Sequence, residues 1–79
     1  MPRYFFDIDS GRPLEDAHGE ELADSLAARD AAIAILAEIL PTRAGDLNGN
    51  GRLSVNVREA GGAILHAVTV TLASPPAAD

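Results

Sequence analysis

The feature that most constrains this chain is a single helical segment between two pairs of alternating segments. Apolar residues recur at mostly helical spacing over residues 24–40. The predicted apolar stripe comprises Leu22, Leu26, Ile33, Leu36 and Leu40, widened by Ile35 and Ile39. Asp24 or Ser25 can cap the start, and Pro41 ends or kinks the helix. A stripe this broad is typical of a helix that packs on a sheet.

Strands are predicted on both sides of this helix, because polar and apolar residues alternate there with a period of two. The pattern covers residues 3–9, 53–58 and 64–72. Residues 12–15 form a short second strand after a turn at Ser10-Gly11. The glycine pair after residue 60 predicts a hairpin between the last two strands.

The fold class predicted from this order is α+β, with the elements β-β-α-β-β and a short second strand. One helix packs on one face of a small antiparallel or mixed sheet. Pro13 lacks an N–H group, so the second strand is expected at an edge. With a helix between them, the strands at residues 3–9 and 53–58 are expected to run parallel. The sequence does not fix the strand order, and one possible order places the last strand between these two. Residues 1–73 form a single domain, and residues 74–79 a loose tail.

One helix can cover only one face of a sheet, so the opposite face is expected to be open. In the alternating pattern this face carries three apolar residues among polar ones, namely Phe5, Leu65 and Ala67. A partly apolar open face on a small domain favours a protein partner. We therefore predict an interaction domain that forms a homodimer or binds a larger bacterial protein, with these residues as interface candidates.

The charge of the chain excludes several functions. Twelve acids face six bases, all of them arginine, for a net charge of −6 at pH 7. Without a basic cluster, nucleic-acid binding is not expected.

The longest apolar stretch, residues 31–40, is too short for a membrane span. There is no cysteine and no signal-peptide pattern, so a cytoplasmic protein is expected.

The segment DLNGNGRLSV, residues 46–55, resembles the first half of a calcium-binding loop. Asp46, Asn48, Asn50 and Gly51 fall at positions 1, 3, 5 and 6 of an EF-hand-type loop. Position 12, which supplies a bidentate acid in such a loop, is Val57. Asn and Gly are also the residues that a sharp turn requires. The segment is therefore predicted to be a turn, with Asp46 as a weak metal candidate.

A second group of acids lies near the first hairpin. The group comprises Asp7, Asp9, Asp16, Glu20 and Glu21, and such an oxygen-rich set favours magnesium, calcium or manganese. His18 could join it for a transition metal. The alternative function is therefore a divalent-cation or small-ligand binding module that uses these carboxylates. Solvated turn residues are the simpler interpretation of the same pattern.

Catalytic motifs are lacking in the sequence. No serine lies in a G-x-S-x-G context, and there is no phosphate loop or HExxH spacing. We expect no enzyme activity and no cofactor. A carboxylate site built at a dimer interface is the one catalytic arrangement left open.

Three stretches also resemble a known family. They are PRYFFDI at residues 2–8, GEEL at residues 19–22, and V-x-V-R-E-x-G-G-x-I-L-x-x-V at residues 55–68. They are similar to very small alphaproteobacterial proteins with RYFFDI and G-x-E-L motifs, a family catalogued as a domain of unknown function. The resemblance implies a bacterial cytoplasmic protein and no particular activity. Leu26 stands where an acid is common in that family, and Pro41 interrupts a helix that is usually longer.

Overall fold

The computed structural model describes residues 1–47 and 51–72, in which a helix packs on an antiparallel sheet of five strands. The strands are β1 (Arg3–Asp9), β2 (Pro13–Leu14), β3 (Glu20–Glu21), β4 (Arg52–Glu59) and β5 (Ile64–Thr71). The helix α1 (Ser25–Ile39) continues into a 3₁₀ helix (Leu40–Leu47). The predicted α+β class is confirmed, and the predicted loose tail lies outside the described residues.

The order of the strands differs from the possible order with the last strand in the middle. β1 and β4 are antiparallel neighbours, with Phe6 opposite Val57, and β5 lies at the edge beyond β4. β2 and β3 both pair with the other edge of β1, so the prediction that Pro13 lies in an edge strand is confirmed. β1 and β4 were predicted to run parallel, but they are antiparallel. The reason is that β2 and β3 first return the chain to the start of β1. The helix then carries it back to the opposite end, where β4 begins antiparallel to β1.

The ends of α1 follow from its capping residues. The side chain of Asp24 accepts a hydrogen bond from the Ala27 N–H at 2.8 Å, which satisfies one of the free donors of the first turn. Pro41 has no N–H to continue the α-helical pattern, and the helix tightens to 3₁₀ geometry after Ile39. The Thr42 hydroxyl donates to the Ile39 carbonyl at 2.8 Å, so this junction is held by a side chain.

The face of α1 that meets the sheet also differs from the predicted stripe. Leu26 and Ile33, both expected in the core, are 55% and 49% exposed. Leu36 is buried as predicted, together with Ala28 and Ala32, which the predicted stripe did not include. They lie four residues apart along one face, and two alanines there let the helix approach the sheet closely. The other residues of the predicted stripe pack against this core and are partly buried, namely Leu22, Ile35, Ile39 and Leu40, so the prediction failed only at Leu26 and Ile33.

The hydrophobic core lies between α1 and the covered face of the sheet. It comprises Tyr4, Phe6, Ala28, Ala32, Leu36, Leu53, Val55 and Val57. The three β4 residues in this set are completely buried, since β4 is the central strand beneath the helix. Neither helix of the described residues has both the length and the apolarity needed to cross a membrane.

Candidate functional site

The edge of the sheet beside β1 is interrupted in its middle. β3 pairs with the start of β1, at Arg3 and Tyr4, and β2 pairs with its end. Residues 15–19 bend away between the two short strands. The Phe6 N–H, which faces this interruption, donates to Asp16 Oδ2 at 3.1 Å. A side-chain carboxylate therefore takes the place of the missing backbone acceptor.

Asp16 organises the loop around it. Its Oδ1 accepts hydrogen bonds from the His18 N–H at 3.0 Å and the Gly19 N–H at 3.1 Å. Its own N–H donates to Asp7 Oδ1 at 2.9 Å. Both carboxylate oxygens of Asp16 are thus used by backbone donors, and the loop is held against β1.

Arg58 on β4 ties the same loop to the centre of the sheet. Its Nε donates to Asp7 Oδ2 at 2.9 Å, and its Nη2 donates to Asp7 Oδ1 at 3.3 Å. Nη2 also donates to the Asp16 carbonyl at 3.1 Å and lies 3.6 Å from Glu15 Oε1. The guanidinium carbon stands 4.6 Å from the centre of the Phe5 ring, within cation–π range. A bidentate pair with a stacked guanidinium is a geometrically specific interaction.

These hydrogen bonds lower the pKa of both aspartates. The Arg58 side chain is the largest influence on Asp7 and holds the pKa of that carboxyl below its usual range, against the effect of burial. Burial alone would raise the pKa of Asp16, but the His18, Phe6 and Gly19 N–H donors outweigh it and the pKa falls. Both groups therefore stay ionised near neutral pH.

The stability of the fold is expected to fall in acid because of this pair. In the folded state the pKa values of Asp7 and Asp16 lie below the ordinary 3.8. Both carboxylates therefore stabilise the fold fully at pH values above 3.8. This stabilisation is lost as the pH drops through the folded-state values. Urea unfolding between pH 7 and pH 2.5 should give a constant free energy above about pH 5 and a decline below about pH 4.

Variants separate this pair from the other carboxylates of the chain. Asp7→Asn and Asp16→Asn should each lower the stability at pH 7 and flatten the decline in acid. Glu38→Gln changes an exposed acid on α1 and should leave the decline unchanged. An undiminished acid decline in both aspartate variants would contradict the assignment.

The predicted metal candidates are used for local structure. Asp7 and Asp16 are bonded as above, and Asp9 Oδ1 accepts the Gly11 N–H at 3.0 Å in the turn after β1. Among the described residues, no three acids or histidines form a group that could hold a metal ion. The side chain of Asp46 and residues 48–50 lie outside the described part of the chain, so the predicted turn there stays a prediction.

The three interface candidates lie on two different strands, and their role as an interface stays a prediction. Leu65 has no partner where the pairing of β4 and β5 shifts register, and it lines a groove with Tyr4 and Ser25 on the helix side of the sheet. Phe5 on β1 is half-buried beneath the Arg58 guanidinium. Leu65 and Ala67 lie on β5 and are exposed. Since β4 separates β1 from β5, Phe5 lies apart from Leu65 and Ala67.

The two edges of the sheet differ in chemistry. At one edge, β2 and β3 have two residues each and include Pro13, Glu20 and Glu21. At the other edge, β5 is eight residues long, with the sequence ILHAVTVT, and contains no acid, lysine, arginine or proline. Short strands, charges and proline prevent unwanted pairing at an edge. Only the first edge has them. The uncharged run was visible in the sequence, but its significance depended on the unknown strand order.

Comparison with known proteins finds one family. A family model described as a domain of unknown function, DUF6894, matches residues 3–71. No curated protein and no solved structure matches the chain. The match agrees with the expected resemblance to a domain of unknown function and covers the domain described above.

Proposed function

We propose that this chain, which belongs to the DUF6894 family of unknown function, is a small non-enzymatic domain. Its β5 pairs with β5 of a second copy. The observation that carries the proposal is the eight-residue edge strand without charge or proline. Such a strand presents a row of free backbone donors and acceptors to another strand. The dimer would have one sheet continuous across two subunits.

A second copy fits this edge because antiparallel pairing of β5 with itself is symmetric. The same surface is presented by both subunits, as a two-fold dimer requires. Leu65 and Ala67 on β5 would lie beside the seam, where their exposed apolar surface would be covered. Pairing of two hydrogen-bonded edges also satisfies backbone groups that otherwise depend on water.

The distribution of charge supports a second copy as well. Residues 1–30 contain eight acids and three arginines, a net charge of −5, and include β1, β2 and β3. These strands form the end of the sheet opposite β5. Two negatively charged subunits can therefore meet through β5 with their acidic ends apart. An approach through the β2 and β3 edge would instead bring the acidic ends together and would be opposed by repulsion.

The lowered pKa values of Asp7 and Asp16 agree with the non-enzymatic part of the proposal, because they remove this pair as an acid–base catalyst. An acid–base catalyst needs a group that exchanges protons near neutral pH. The hydrogen bonds of Asp7 and Asp16 lower the pKa of both groups, away from that range.

The absence of cysteine and the resemblance to small alphaproteobacterial proteins support a place in the cytoplasm of a bacterium.

Analytical ultracentrifugation across micromolar to millimolar concentrations tests the dimer. We expect a reversible monomer–dimer equilibrium for the natural sequence. The double variant Leu65→Lys/Ala67→Lys places charges beside the seam and should weaken association by at least about tenfold, through repulsion between copies.

A matched control makes the same chemical changes elsewhere. Leu26→Lys/Ala34→Lys replaces one exposed leucine and one exposed alanine on α1, so both variants gain the same two positive charges. The control should dimerise like the natural sequence. A natural protein that stays monomeric throughout, or a control that loses association while the β5 variant keeps it, would overturn the proposal.

A further inference from the structure

At the end of the sheet opposite β5, a cavity of about 590 Å³ lies between the β1–β2 turn and the 3₁₀ helix. It is lined by Ser10, Arg12, Pro13, Leu14 and Arg43. Its volume is within the range of about 300–1,000 Å³ that small-molecule sites occupy. The cavity does not involve β5, so a ligand site there is independent of the proposed dimer.

The lining of this cavity has the opposite charge to the chain as a whole. Of the five described residues that line it, two are arginines and none is an acid, although acids outnumber arginines two to one in the sequence. Arg43 Nη1 donates to Ser10 Oγ at 3.4 Å across the cavity. Arg12 is exposed and has no ion-pair partner in the described part of the chain. Asp9, just before the turn, is not part of the lining and binds the Gly11 N–H.

The remaining lining is apolar. Leu14 is 57% exposed, and it lies in β2 directly after Pro13. Guanidinium groups match the geometry of carboxylate and phosphate oxygens, and an exposed leucine beside them gains by covering apolar surface. We infer that this cavity binds the carboxylate or phosphate group of a small molecule whose apolar part packs on Pro13 and Leu14.

NMR titration of the labelled full chain with phenyl phosphate, hexanoate and inorganic phosphate, at constant ionic strength, tests the inference. Saturating shifts of the Ser10, Arg12, Leu14 and Arg43 amides are expected with phenyl phosphate, hexanoate or both. Which of the two binds more tightly identifies the anionic group. Inorganic phosphate should bind more weakly, because it makes no contact with the apolar wall.

Single variants identify the groups that contribute. Arg12→Gln should weaken binding about tenfold or more, since a charge-assisted hydrogen bond is lost. Arg52→Gln removes the same charge from an exposed site on β4 and serves as the matched control. Leu14→Ser should weaken phenyl phosphate but not inorganic phosphate. Linear shifts without saturation for both organic probes, or equal affinities in the Arg12 and Arg52 variants, would overturn the inference.

Discussion

Gly19→Ala is expected to lower the free energy of unfolding by about 2–4 kcal/mol, from backbone strain and steric overlap together. Gly19 has φ +69°, in the left-handed region. A Cβ built there would lie 2.8 Å from the Tyr4 carbonyl oxygen and 3.0 Å from both Arg3 Cγ and Phe5 Cδ1. The carbonyl belongs to β1, where Tyr4 pairs with Glu20, so it cannot move without loss of that pairing. The same backbone position also donates to Asp16 Oδ1.

A matched variant separates the two causes. Gly11→Ala also places alanine at positive φ, here +97°, but its Cβ would meet nothing within 4 Å. It should therefore show backbone strain alone, of roughly 1–2 kcal/mol. Urea unfolding of both variants gives the difference directly. Equal losses in the two variants would mean that the loop moves away from β1 easily, which is contrary to the close approach described here.

Local features of the fold were predictable from the sequence because their causes are local. Asp24 caps the helix that it precedes, and Pro41 lies two positions after its last residue, Ile39. The predicted hairpin turn is present, with φ +101° at Gly62 and its N–H bonded to the Glu59 carbonyl at 2.9 Å. Each of these depends on residues a few positions apart, for which side-chain chemistry and backbone freedom decide the result.

The missed features depend on distant residues or on very short elements. β3 has two residues, too few for an alternating pattern to be recognised, and without it the direction of β4 relative to β1 was wrong. Arg58 lies 51 positions from Asp7, so their pairing depends on β1 and β4 being neighbours. The sequence singled out the acids near the first hairpin only as metal candidates. Their role in holding the loop to β1 could not be predicted without Arg58 and the strand order.

The second prediction with a large effect concerns which side chains of α1 pack on the sheet. Leu36→Ala should lower the free energy of unfolding by about 2–4 kcal/mol, because it leaves a cavity between helix and sheet. Leu36 is 5% exposed and belongs to the core with Ala32 and Val55. Leu26→Ala, by contrast, should change it by less than about 0.5 kcal/mol, because surface substitutions seldom do more. Leu26 is 55% exposed on the same helix.

The two substitutions are matched in chemistry. Both replace leucine by alanine within α1, so the gain in helix propensity is similar and the difference reports burial. The apolar stripe predicted from the sequence placed both leucines in the core, so both substitutions would then cause a large loss of unfolding free energy. Thermal or urea unfolding of the two variants distinguishes the possibilities. A large loss of unfolding free energy in Leu26→Ala, measured at concentrations where the protein is monomeric, would place that side chain in the core. The alanines at positions 28 and 32 would then no longer explain the close approach of helix to sheet.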